Sequence, residues 1–137
     1  MAQIQLSDGR VTSDIGAIAP GVYTPGRWSY AAPASGLVNT TTAVTVAPAV
    51  TDQKNVIHAI QLSADALGAA TEFAIRDGAG GTVLWRMKLT TAALAQEASH
   101  YFPVPLQGSA GNLLEIVTLT ASVTGAVYFN AQGGTVM

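Results

Sequence analysis

From residue 55 onward the chain alternates apolar and polar side chains one by one between clusters of turn residues, and that period decides the fold class. Val56, His58, Ile60 and Leu62 alternate with Ile57, Ala59, Gln61 and Ser63. Phe73 and Ile75 alternate with Glu72, Ala74 and Arg76, and Val83, Trp85, Met87 and Leu89 with Leu84, Arg86 and Lys88. A period of two sends successive side chains to opposite faces of a pleated strand, so each segment reads as a strand with one face inward. His58 then falls on the face of Val56 and Ile60, as a hydrogen-bonded core or interface histidine, and Trp85 points inward.

Asp77-Gly78-Ala79-Gly80-Gly81 separates the last two of these segments and supplies the positive-φ positions of a tight reversal, so residues 71–89 read as a hairpin. Tyr101 to Val104 follows, where Pro103 and Pro105 remove ladder donors and place the segment at a sheet edge. Residues 113–121 are rich in branched apolar side chains and threonine, and residues 126–131 make a last strand. Residues 90–99 hold no helix breaker and read either as a helical turn or as a loop. About seven or eight short strands at roughly ten-residue spacing predict an all-β, antiparallel β-sandwich; the spacing does not separate an immunoglobulin-type strand order from a jelly roll, and the lack of a Cys–Trp–Cys framework favours the jelly-roll-like one.

The first part of the chain keeps no such period. Asp8-Gly9, Pro20-Gly21, Pro25-Gly26, Pro33 and Ser35-Gly36 interrupt it every few residues. Residues 1–38 are therefore expected to be an extended, irregular N-terminal arm and residues 39–137 the sandwich domain. Gln3-Ile4-Gln5-Leu6 and residues 39–47 each offer one further short strand. Tyr23, Trp28 and Tyr30 lie in the Gly/Pro-rich arm, where large rings dock either on their own domain or on a neighbour.

Charge is scarce, with six basic and eight acidic residues among 137. Charge keeps proteins soluble and apart, so a surface this neutral is expected to be hidden against other protein. Residues 28–51 and 116–137 are charge-free, yet Pro33, Pro48 and a run of threonines break the first, and Thr118, Thr120, Ser122, Asn130 and Gln132 break the second. Neither is a continuous apolar span of about 20 residues, and no membrane partner is expected. No basic flank with a cleavage site opens the chain, so no signal peptide is expected. Arg10, Arg27, Lys54, Arg76, Arg86 and Lys88 are scattered and form no stripe for a run of phosphates, so no nucleic acid is expected either.

Catalytic patterns are equally thin. The chain has no cysteine, which excludes disulfides, thiolate metal sites and cysteine nucleophiles. His58 and His100 show no metal-ligand spacing, and His100 reads as a packing or loop residue. The glycines after Asp77 lead into a strand, without the lysine and helix of a phosphate loop. The carboxylates are dispersed and most sit beside turn residues, as in solvated loops, although strands could still bring together a glycosidase pair such as Glu72 and Glu115. The expectation is a non-enzymatic protein with no cofactor and no metal.

The segment Ala74-Ile75-Arg76-Asp77-Gly78-Ala79-Gly80-Gly81-Thr82-Val83-Leu84-Trp85 and the closing Thr124-Gly125-Ala126-Val127-Tyr128-Phe129 resemble jelly-roll cement or decoration proteins of tailed bacteriophages. The resemblance spans about residues 39–137 as a texture of short Ala/Val/Thr-rich strands. It implies a homodimer or homotrimer on the exterior of a virion capsid, bracing the junctions between copies of the major capsid protein. Such a role needs contact area more than chemistry, and aromatic anchors supply most interface energy per residue. Tyr23, Arg27, Trp28 and Tyr30 are the expected partner-interface residues. Phage tail and fibre modules share the texture, and as a carbohydrate- or receptor-binding module the chain would use Trp28, Trp85, Tyr101 or Tyr128.

Overall fold

The hairpin is the local element that the sequence marks most clearly, and it is built as expected. In the computed structural model, which describes residues 26–91 and 96–137, strands Thr71–Asp77 (β5) and Thr82–Leu89 (β6) pair antiparallel. Gly78 and Gly80 adopt φ values of 86° and 66°, left-handed backbone that a side chain would strain. Ile75 pairs with Trp85 and Phe73 with Met87, so these side chains share the inward face.

The other described strands are Trp28–Tyr30 (β1), Leu37–Val38 (β2), Val44–Ala47 (β3), Lys54–Ala64 (β4), Gln96–Gln107 (β7), Leu114–Thr118 (β8) and Ala126–Val136 (β9). One sheet runs β1-β9-β4-β7, with β2 also on β9, and the other runs β3-β8-β5-β6. All recorded pairings are antiparallel. Every connection except the β1–β2 turn and the β5–β6 hairpin crosses between sheets, and the two four-strand orders are those of a jelly roll. The strand order that the sequence could not separate from the immunoglobulin type is thereby resolved. Gln96 to Ser99, which could have formed a helical turn, are instead extended in β7. The Gln3 to Leu6 strand and Tyr23 lie outside the described residues.

β1 and β2 act as one interrupted strand along the outer edge of β9. Tyr30 pairs with Ala131 and Leu37 with Val127, and between them a turn closes through Gly36 N donating to the Pro33 carbonyl at 2.9 Å. Ala32 N in the gap donates to Asn130 Oδ1 at 3.0 Å, so a side chain replaces the missing ladder acceptor. Residues 28–30 and 37–38, within the segment expected to be an arm, thus belong to the sheet.

The core lies between the sheets. Phe73 and Phe129 meet at 5.0 Å between ring centroids, surrounded by Ile57, Leu62, Ile75, Leu89, Leu114, Ile116 and Val127, all buried. Each such side chain contributes about 1.5–3 kcal/mol on leaving water. The inward face of β4 differs from the sequence expectation. Register shifts between Ile57 and Ala59 against β7, and at Gln132/Gly133 against β9, leave His58 as an extra residue. This bulge resets the alternation, so Ile57 enters the core with Ile60 and Leu62 while His58 is exposed. The expected core or interface histidine is not in the core because a period of two holds only on one side of a bulge.

Candidate interaction surfaces

The two sheets present chemically different outer faces. On the β3-β8-β5-β6 face, Glu72 is opposite Lys88, Ala74 opposite Arg86, and Arg76 opposite Glu115. Arg76 Nε donates to Glu115 Oε2 at 2.8 Å, Gly80 N donates to the same oxygen at 2.7 Å, and Arg86 Nη1 meets Glu72 Oε1 at 2.7 Å. Glu72 and Glu115 are therefore held by separate arginines. Arg76, which pairs with Glu115, lies four residues from Glu72 along β5, about 13 Å of strand and wider than a glycosidase pair.

On the β1-β9-β4-β7 face the rows read differently. Ser29, Gln132, Ala59 and Tyr101 form one row, Asn130, Gln61 and Ser99 the next, and Tyr128, Ser63 and Glu97 the third. Glu97, on the edge strand, is the one charged member of these rows. A groove of about 820 Å³, lined by Arg27, Trp28, Val56, His58 and Gly134 among others, continues into a second of about 440 Å³ over Ala31, Gln61 and Asn130. Ser29 and Gln132 line both.

Three of the expected interface residues can be placed. Arg27 is exposed at the start of β1. Trp28 donates its indole N–H to the Gly134 carbonyl at 3.1 Å and is half-buried against the core. Its ring lies so close over Gly133 that a Cβ there would stand 2.4 Å from Trp28 Cζ2. The Tyr30 ring packs 6.4 Å from Phe129, and burial pushes its phenol above the ordinary tyrosine value. Both rings dock on their own domain, and each keeps part of its surface exposed.

A third surface escaped sequence reading because three connections build it jointly. The β2–β3, β4–β5 and β8–β9 connections meet at one end of the sandwich: Thr118 Oγ1 donates to the Thr40 carbonyl, Thr120 N to Thr71 Oγ1 at 2.8 Å, and Asp65 N to the Ala126 carbonyl at 2.9 Å. Val38, Leu119 and Val123 are 51%, 43% and 66% exposed there, among threonines, with Asp65 the one charge of these loops. At the open side of the sandwich, Trp85 of β6 meets His100 of β7 edge-on at 5.6 Å, and His100 stacks on Phe102 at 6.1 Å. Trp85 points inward, as its strand position implies, and offers no outward platform.

Among the described residues no group of three His, Asp or Glu side chains is placed to hold a metal ion, and no helix is long and apolar enough to cross a membrane. No protein-family model and no curated protein sequence matches the chain. Among solved structures, the chain is similar in fold to the coat protein of Tobacco streak virus, at a TM-score of 0.42 and 12% identity over 82% of this chain and 89% of that one. A structure of the dimer of that coat protein gives a TM-score of 0.41 and 14% identity over 82% and 87%.

Proposed function

We propose that this chain is a non-enzymatic virion structural protein that binds the exterior of an icosahedral capsid as a homo-oligomer and braces contacts between copies of the major capsid protein. The observation that carries the reading is the uneven distribution of a small charge complement. Five charged side chains, Glu72, Arg76, Arg86, Lys88 and Glu115, share one sheet face. The loop end with Val38, Leu119 and Val123 is nearly neutral and exposes apolar side chains. Charged residues are depleted from interface cores, whereas a charged face suits solvent. The loop end and the exposed parts of Arg27, Trp28 and Tyr30 are then the contact surfaces, and the hairpin face points away from the shell. Binding an assembled lattice in preference to free subunits stabilises the lattice by mass action without any chemistry.

The test is twofold. Light scattering after size exclusion is expected to show a dimer or trimer that Leu119→Lys with Val123→Lys converts to monomer, while unfolding stays cooperative. Shells stripped of the protein are expected to lose heat resistance and to regain it on adding the wild type, not the variant. A monomer at high concentration together with unchanged shells would overturn the reading.

A further inference from the structure

The outer face of the β1-β9-β4-β7 sheet carries rows of neutral amide and hydroxyl side chains. Gln61 and Gln132 stand exposed in adjacent rows, flanked by Ser29, Ser99 and Asn130. A side-chain amide offers a donor and an acceptor side by side, and a serine hydroxyl offers both on one atom. Between these groups the residues are small. Ala31 and Ala59 line the smaller groove, and the two grooves share Ser29 and Gln132. Tyr101, 75% exposed, stands at the end of the Gln132 row, in register with Ala59. The His58 bulge adds an exposed imidazole, and Arg27 adds guanidinium donors at one end.

From this placement we infer that the grooved outer face of the β1-β9-β4-β7 sheet is a binding site for a neutral saccharide. The hydroxyls of a sugar ring donate and accept in turn, which amides and hydroxyls match and which carboxylates or ammonium groups match only in one sense. A ring's C–H face can lie on Ala59 and against Tyr101, while Gln61 and Gln132 take its hydroxyls. A polyphosphate needs several cations, and the groove has one guanidinium, Arg27, at its end while the rows themselves hold none, so an anionic ligand is poorly served. The rows are spaced by strand geometry, so an extended oligosaccharide can follow β9 or β4 along the groove. This reading goes beyond attachment to a shell: Arg27, Trp28 and Tyr30 border both surfaces, but Gln61 and Gln132 lie away from Leu119 and Val123, so variants at the two glutamines and variants at the loop end test the two readings separately.

The test uses the full chain, labelled with ¹⁵N, titrated with maltohexaose, xylohexaose, chitohexaose and dextran, with dextran sulfate as the charged control. At least one neutral saccharide is expected to move the amide signals of Ser29, Ala59, Gln61 and Gln132 and to leave Thr45, Ala74 and Val117 in place. Gln61→Ala with Gln132→Ala is expected to weaken that binding roughly tenfold or more. Both positions are exposed, so the thermal midpoint should hold, and Glu72→Ala on the opposite face should bind as the wild type does. The proposal is overturned if no neutral saccharide moves those amides at ~10 mM, or if dextran sulfate binds as well as the best neutral ligand. It is also overturned if Gln61→Lys with Gln132→Lys dissociates an oligomer while wild type binds no saccharide, which would give the face to a second copy of this chain.

Discussion

Arg76 and Glu115 face each other across β5 and β8, with the guanidinium Nη2 2.6 Å and Nε 2.8 Å from one carboxylate oxygen that also accepts the Gly80 amide. One side chain thereby ties two strands to the hairpin turn. The Glu115 side chain is 7% exposed against 20% for Arg76, so this pair is partly desolvated, unlike the exposed Arg86–Glu72 pair. Removing one member of a buried pair strands the other, so Glu115→Ala is expected to lower stability by about 2 kcal/mol. Glu72→Ala should cost under ~1 kcal/mol. Urea midpoints measured side by side check the contrast, and equal losses would show that burial does not separate the two pairs.

Asp77 gives the fold an acid-sensitive clamp. Burial raises its pKa, but Ser109 N at 3.0 Å, Ser109 Oγ at 2.7 Å and Asn112 Nδ2 at 3.1 Å all donate to its carboxylate, and together they hold it below the ordinary value. A folded-state pKa below the unfolded one stabilises the protein fully above the unfolded value, about 4 for aspartate, and the contribution is lost as pH falls through the folded value. Wild-type stability should therefore drop below about pH 4. Asp77→Asn should cost ~1–2 kcal/mol near neutral pH and flatten the acid limb. Denaturant melts from neutral pH downward read both effects, and parallel curves for the two proteins would count against the clamp.

Gly133 is the position where β9 passes under Trp28. A Cβ there would lie 2.4 Å from Trp28 Cζ2 and 2.0 Å from the Val56 carbonyl, and the second obstacle is backbone that cannot swing aside. Gly133→Ala is expected to destabilise by about 2 kcal/mol or more and to shift Trp28 fluorescence as the indole leaves Gly134. Trp85, the other tryptophan, is removed by Trp85→Phe so that one ring reports. An unmoved spectrum and midpoint would sink this reading of the contact.

The edge strand β7 carries its own guard. Leu106 and Tyr101 pair with Ile57 and Ala59, so Phe102, Pro103, Val104 and Pro105 bulge away from β4, and Val104 is 83% exposed. A bulge without proline N–H donors is a poor template for another strand. Replacing Pro103 and Pro105 by Thr should leave the fold in place and raise aggregation on mild heating, measured by light scattering; a variant as soluble as wild type would remove the guard role.

The hairpin, the edge position of β7 and the inward Trp85 were legible because each depends on neighbours in sequence: two glycines with positive φ, two prolines, an unbroken alternation. The exposure of His58 was not, since the bulge is set by how β7 and β9 pair with β4 and no residue at 57–59 signals it. Val38 ends β2 while Leu119 and Val123 lie in the β8–β9 connection, far apart along the chain, and only the crossing of strands between sheets brings them to one end. Gln61 and Gln132 likewise become neighbours only through the β4–β9 ladder. The division of charge between the two faces was half visible: residues 71–89 concentrated it in sequence, but Glu115 joins them only through β8.

β9 sits in the middle of its sheet, with β4 on one side and β1 and β2 on the other. Tyr30 waits for Ala131, and Leu37 for Val127. During synthesis the early strands therefore emerge from the ribosome with no partner, and the sheet cannot close until residues 126–136 have been made. A chain stopped before that point keeps the hairpin and loses the seam that joins β1 and β2 to β4, so the cell meets either the whole sandwich or an open one with two orphaned edges.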